Sequence, residues 1–134
     1  MATTLEACLK ILAADPRSTE AINGLGRFFA ERNLTQEAGT CFRHVLEIDP
    51  RNTEAMNSLG ALVWQEFDLW YQTGAGRVSY YATRESCIAE AMDWCEKVLA
   101  VDPNNPEAIK NLGEYSEARF NLNRAIFAQE HEVT

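Results

Sequence analysis

One phrase recurs three times in this chain. Residues 14–26 read ADPRSTEAINGLG, residues 48–60 read IDPRNTEAMNSLG, and residues 101–113 read VDPNNPEAIKNLG. The first two copies begin 34 residues apart and the last two begin 53 apart. Self-similarity at such a period marks one supersecondary unit copied along the chain. Each copy joins a stop to a start. Asp-Pro closes a helix, because the residue before proline avoids the helical region and proline has no N–H to donate. Ser18, Asn52 and Asn105 follow as N-caps. Thr19, Thr53 or Pro106 then opens a helix, and Glu20, Glu54 and Glu107 place a negative charge at the positive end of its dipole.

The residues after each cap repeat with helical spacing. Ile22, Leu25 and Phe29 share a face, as do Met56, Leu59 and Val63, and Ile109, Leu112 and Ser116. Gly26, Gly60 and Gly113 stand at one phase. Glycine inside a helix costs about 1 kcal/mol relative to alanine, so three in register point to a helix crossing closely there. The expected neighbour is the second helix of the unit, at Ala38 and Ala91. Each Asp-Pro is preceded by such a second helix. TLEACLKILAA carries Leu5, Leu9 and Leu12; TQEAGTCFRHVLEI carries Ala38, Phe42, Val45 and Leu46; CIAEAMDWCEKVLAV carries Ala91, Cys95, Val98 and Leu99. Neither helix buries its stripe alone, so stacked neighbours must share one continuous core.

The order Leu25-Gly26, Ala38, Phe42, Val45, Asp49-Pro50 resembles the tetratricopeptide repeat (TPR). The resemblance implies an all-α fold: a TPR-like α-solenoid of stacked antiparallel helix pairs, with one hairpin extended by an insertion. Residues 4–18 resemble the closing helix of a partial repeat, 19–52 a full repeat, 53–105 a repeat with an insertion near 66–84, and 106–134 a partial third repeat with a C-terminal helix. The chain departs from the family pattern in two ways. Ile22, Met56 or Ile109 replaces the frequent aromatic near the start of the first helix, and the third unit lacks a closing Asp-Pro.

The second repeat is 19 residues too long. Helical spacing continues through Val63, Phe67 and Trp70/Tyr71, and resumes through Tyr81, Ile88 and Met92, around a turn signal at Gly74-Ala75-Gly76. We therefore expect both helices of this hairpin to be lengthened, protruding roughly 12 Å beyond the stack. Phe67, Trp70, Tyr71, Tyr80 and Tyr81 either zip the two arms together or offer a second contact to a partner. The segment from Glu114 to Phe127 either turns near Asn121 to Asn123 or runs straight on. Phe120, Ile126 and Phe127 leave an apolar end where a solenoid usually has a polar cap, so self-association, or capping by a partner or by further sequence, is expected there.

The rest of the composition excludes more than it assigns. The net charge of -8 disfavours nucleic acid and an anionic lipid surface. No apolar run approaches the ~18 residues that spanning a bilayer needs, and no basic segment followed by an apolar core marks a signal peptide. A cytoplasmic location is expected. Cys8, Cys41, Cys87 and Cys95 form no CxxC pair, and His44 and His131 lie far apart, so neither zinc nor any other cofactor is expected. No catalytic motif appears, and an enzyme is not expected.

In repeats of this family the first helices line a concave surface. By position the resemblance places Asn23, Arg27 and Glu31, then Asn57, Ala61 and Trp64, then Lys110, Asn111 and Glu114 in that groove. The recurring asparagine would fix an extended peptide backbone through its amide. Some members clamp an anionic chaperone C-terminus with lysine, asparagine and arginine. Here Asn23 stands where lysine would open that set, Glu107 opens the third unit, and Asn111 replaces the arginine, so no such clamp is expected. The sequence leads to a protein–protein interaction adaptor whose partner offers a basic or apolar peptide or amphipathic helix. The competing expectation is a scaffold that self-assembles into a homo-oligomer through its exposed repeat ends.

Overall fold

A computed structural model of the chain describes residues 4–72 and 80–131, with side chains for 5–69 and 83–131. The described residues form six helices and no strand: α1 (Thr4–Ala14), α2 (Thr19–Glu31), α3 (Thr35–Ile48), α4 (Thr53–Gln72), α5 (Tyr80–Val101) and α6 (Pro106–His131). Each packs against the next in chain order, and α2 also touches α4. The architecture is an α-solenoid of stacked helix pairs.

The three Asp-Pro corners recur in register. Asp15, Asp49 and Asp102 each close the preceding helix through N–H donation to Ile11, Val45 and Val98. Their carboxylates accept from the N–H of Arg17, Arg51 and Asn104 at 3.1, 3.2 and 3.3 Å. Ser18 Oγ, Asn52 Oδ1 and Asn105 Oδ1 then cap the next helix by accepting from Ala21, Ala55 and Ala108. A fourth terminus, the end of α2, uses a different device. Asn33 adopts a left-handed φ of 60°, and the N–H groups of Asn33 and Leu34 return to the carbonyls of Ala30 and Phe29. That is the Schellman arrangement, with asparagine where glycine is usual.

The main core surrounds Phe42. Ile22, Ala38, Val45, Ala55, Leu59 and Leu62 close around it, and Phe29 and Leu46 complete its rim. A second cluster joins Met56, Val98 and Ala108, and a third joins Ala91, Cys95 and Tyr115, so the core runs on through the stack. Ala21, Ala55 and Ala108 occupy one phase of the three first helices, and all are buried. A small residue there lets each first helix sit close on the preceding second helix.

Several expectations need correction or refinement. Gly26 does not face Ala38; a Cβ at Gly26 would lie 2.5 Å from Cε1 of Phe42. Gly60 does approach Ala91, through its carbonyl oxygen, together with Cβ of Trp94. Gly113 faces nothing within 4 Å. Leu9 is exposed, not inward, because it falls at the repeat position of Arg43 and Glu96, which also face solvent. α4 and α5 are 20 and 22 residues long against 13 and 14 for α2 and α3, so both arms of the hairpin are lengthened. The turn expected at Gly74-Ala75-Gly76 lies outside the described residues. α6 runs straight through Asn121 to Asn123 for 26 residues.

The caps allow a prediction. Asn52→Ala removes the cap of α4, worth about 1 kcal/mol. It also removes the nearer of the two acceptors of the buried Asn23 amide, leaving only Glu54 Oε2 at 3.5 Å, and so adds up to roughly 1–3 kcal/mol. Ser18→Ala removes a cap alone and should cost only about 1 kcal/mol. Urea midpoints of the two variants should differ in that order. Equal losses would show that Asn52 does no more than cap.

Candidate functional site

Of the nine residues expected in a groove, eight divide into three groups and Trp64 stands apart. Arg27, Glu31 and Ala61 are exposed and line one cleft between α2 and α4, together with Ala30, Ser58, Leu62 and Gln65, over Phe42. The cleft holds about 180 Å³. That is below the ~300 Å³ at which drug-sized or cofactor sites begin, and it fits a side chain. Arg27 is fixed there by an ion pair to Glu54 in the first turn of α4. Both partners are half exposed, so the pair orients Arg27 more than it stabilises the fold.

Asn23 and Asn57 form the second group and correct the expectation. Their residues are only 1% and 5% exposed, so their amides do not face a partner. Asn23 Nδ2 donates to Asn52 Oδ1 at 3.2 Å, and Asn57 Nδ2 donates to Asn105 Oδ1 at 3.3 Å. Each acceptor is the N-cap of the next repeat. The asparagines recur because they fasten the first helix of one repeat to the start of the next. The Oδ1 of each is buried without a hydrogen-bond partner. At the same phase in α6 stands Lys110, exposed, with no described following cap to hold.

Lys110, Asn111 and Glu114 lie on α6, the first two exposed and half-buried respectively and Glu114 exposed, and none of them lines the α2–α4 cleft. Gln65 was not legible in the sequence. Its Nε2 donates to Ala30 O at 2.7 Å and to Asn33 Oδ1 at 2.9 Å, tying α4 to the end of α2 at one rim of the cleft.

No protein-family model and no curated protein sequence matches the chain. Among solved structures it is similar to a crystal structure of MamA, with a TM-score of 0.42 and 20% identity over 91% of this chain and 80% of that one. A second crystal structure of MamA matches with the same TM-score and 19% identity, over 94% of this chain and 77% of that one.

Trp64 is half-buried and belongs to an aromatic cluster instead of the cleft. Its ring lies 5.0 Å from that of Tyr115 on α6. The guanidinium of Arg84 on α5 lies 3.8 Å from the Trp64 ring and 4.7 Å from that of Phe67. This cation–π contact knits α4 to α5 at the base of the extended hairpin. Nη1 of Arg84 is buried without a hydrogen-bond partner. Phe67 is 4% exposed, so it packs the hairpin and does not present itself to a partner. The side chains of Trp70, Tyr71, Tyr80 and Tyr81 lie outside those described. Phe120 and Phe127 are 62% and 63% exposed, while Ile126 is half-buried.

The ionisable groups show no reactive centre among the described residues. Burial pushes the thiols of Cys41, Cys87 and Cys95 above their usual value, which keeps them protonated and weakly nucleophilic. Burial likewise pushes the Tyr115 phenol up to about 12. His44 is exposed beside Glu47. Among the described residues no three His, Cys, Asp or Glu side chains gather to hold a metal, and no helix is long and apolar enough to cross a membrane.

Proposed function

We propose that this protein is a cytoplasmic adaptor that seats a basic, amphipathic peptide or helix of another protein in the cleft between α2 and α4. The carrying observation is the cleft itself: an opening the size of a side chain, with an aromatic floor and an acidic setting. Ala61 offers apolar contact above the buried Phe42, while Glu31 stands exposed at the edge. α4 carries Glu54, Glu66 and Asp68 and no lysine or arginine. The one cation in the cleft, Arg27, is engaged by Glu54. An anionic terminus would find no free cation there, whereas a basic segment would meet unpaired carboxylate. By repeat phase Asn111 and Glu114 of α6 correspond to Ser58 and Ala61 of the cleft, and we assign them, with Lys110 beside them, to the same binding surface. Trp70, Tyr71, Tyr80 and Tyr81 of the hairpin supply a second contact. The reading assigns no catalysis.

The test is fluorescence anisotropy with a labelled lysine- and leucine-rich amphipathic peptide and its glutamate-for-lysine counterpart. The basic peptide should bind and the acidic one should not. Added salt should weaken binding. Glu31→Arg and Ala61→Arg, both at exposed positions, should each weaken it at least tenfold, about 1.4 kcal/mol. Equal affinity for the two peptides, or indifference to both substitutions, would sink the reading.

A further inference from the structure

The two ends of the stack expose complementary halves of one repeat. α6 is a first helix with no described second helix upon it. Ile22 and Met56 are 5% and 7% exposed where Ile109 is 52% exposed. Phe42 fills the space before Gly26, and Trp94 with Ala91 fills that before Gly60, but nothing lies before Gly113. α6 docks on α5 through a different face, with Ala108, Tyr115 and Leu122 buried. Its open face runs Ile109, Gly113, Ser116 and carries no charge.

α1 is the converse, a second helix with no described first helix upon it. Counted from the Asp-Pro corner, Ile11 holds the position of Val45 and Val98. Those two are 0% exposed, while Ile11 is 44% exposed. The charges of α1 sit elsewhere. Glu6 and Lys10 hold the positions of Thr40 and His44 in α3, and of Asp93 and Lys97 in α5, all four of which face solvent in complete repeats.

We propose that α1 of a second copy seats on α6, so that two half-repeats from two chains form one composite repeat. The register inside the chain specifies the fit. It brings Ile11 against Ile109 and Gly113 to the level of Cys8, since Cys8 is the counterpart of the Phe42 that meets Gly26. Uncharged surface meets uncharged surface, and Glu6 and Lys10 stay on the outer side. A basic partner, by contrast, would find no acid on this face. The contact continues the helix-pair packing already present twice in the chain. It is also head-to-tail, so it propagates to longer oligomers unless the rotation closes a ring. α1 is too short to reach Phe120 and Phe127 in this register, which makes them useful controls. The inference stands apart from the α2–α4 cleft, whose residues it leaves free.

Sedimentation equilibrium tests it. The mass of the wild-type chain should rise with concentration, and that of Phe127→Asp should do the same. Ile11→Glu and Ile109→Glu should each remain monomeric alone, because each keeps one good face and lacks the other. Mixed in equal amounts they should form a dimer of twice the monomer mass. A wild-type chain that stays monomeric overturns the proposal. So does Ile11→Glu that still associates alone, which would mean symmetric pairing of α6, and so does a mixture that stays monomeric. If either variant loses its helical circular dichroism, Ile11→Gln and Gly113→Leu replace the pair and are judged by the same outcomes. Gly113→Leu plants a side chain in the seat of the incoming helix at a position that is open in the single chain.

Discussion

Phe42→Ala will destabilise the protein by about 3–5 kcal/mol, the cost of emptying a buried aromatic site. Phe42 is 0% exposed and stands where α2, α3 and α4 meet. One edge of its ring fills the space before Gly26, and the ring floors the cleft. Its removal therefore loosens contacts to three helices at once, and helices so placed cannot collapse into the void without shifting. Against a typical total stability of about 5–15 kcal/mol, that loss leaves little. Phe42→Leu keeps most of the apolar volume and should cost less. The corresponding residue of the next repeat is Cys95, and there Trp94 closes on Gly60. Cys95→Ala should accordingly cost only about 1 kcal/mol, the scale of one buried methylene-sized group. Urea unfolding followed by circular dichroism measures all three. A Phe42→Ala variant within 1 kcal/mol of wild type would show that the α2–α3–α4 junction is looser than the structure describes.

Gly26→Ala and Gly113→Ala will change stability in opposite directions, although the two glycines hold the same place in their repeats. Alanine gains about 1 kcal/mol over glycine from helix propensity at either site. At Gly26 that gain is overwhelmed. The new Cβ would lie 2.5, 2.8 and 3.0 Å from three carbons of the Phe42 ring, which is fully buried and has nowhere to retreat. Overpacking of this kind costs about 1–3 kcal/mol or more. At Gly113 no atom lies within 4 Å, so the propensity gain remains. Thermal melts at low protein concentration, where chains are separate, should show Gly26→Ala lowered and Gly113→Ala raised. Combining Gly26→Ala with Phe42→Leu should recover part of the loss, because the shorter side chain vacates the clash. Equal shifts at the two glycines would contradict the packing.

The groove was only partly legible in the sequence, and the asparagines show why. Asn23 and Asn57 recur at a position that faces the groove in similar repeats, and recurrence alone does not say what a side chain touches. The partners that bury them, Asn52 and Asn105, are 29 and 48 residues away. Gln65 was hidden for the same reason: its acceptors lie at the end of α2 and in the turn after it, more than 30 residues back. Phe67 and Trp64 looked alike as aromatic anchors, yet Arg84 from the opposite arm of the hairpin covers both rings.

By itself the sequence determined much of what depends on neighbours within about four residues. The Asp-Pro stops, the Ser18, Asn52 and Asn105 caps, the helical phase of the stripes on α2 to α5 and the lengthening of both hairpin arms are of this kind, because backbone geometry and capping bonds form within a single turn. Only the tertiary structure decided what each face meets. Gly26, Gly60 and Gly113 are locally equivalent, yet one touches an aromatic ring, one a tryptophan Cβ and a backbone carbonyl, and one nothing. That difference comes from which helix lies opposite, and no local pattern encodes the helix opposite.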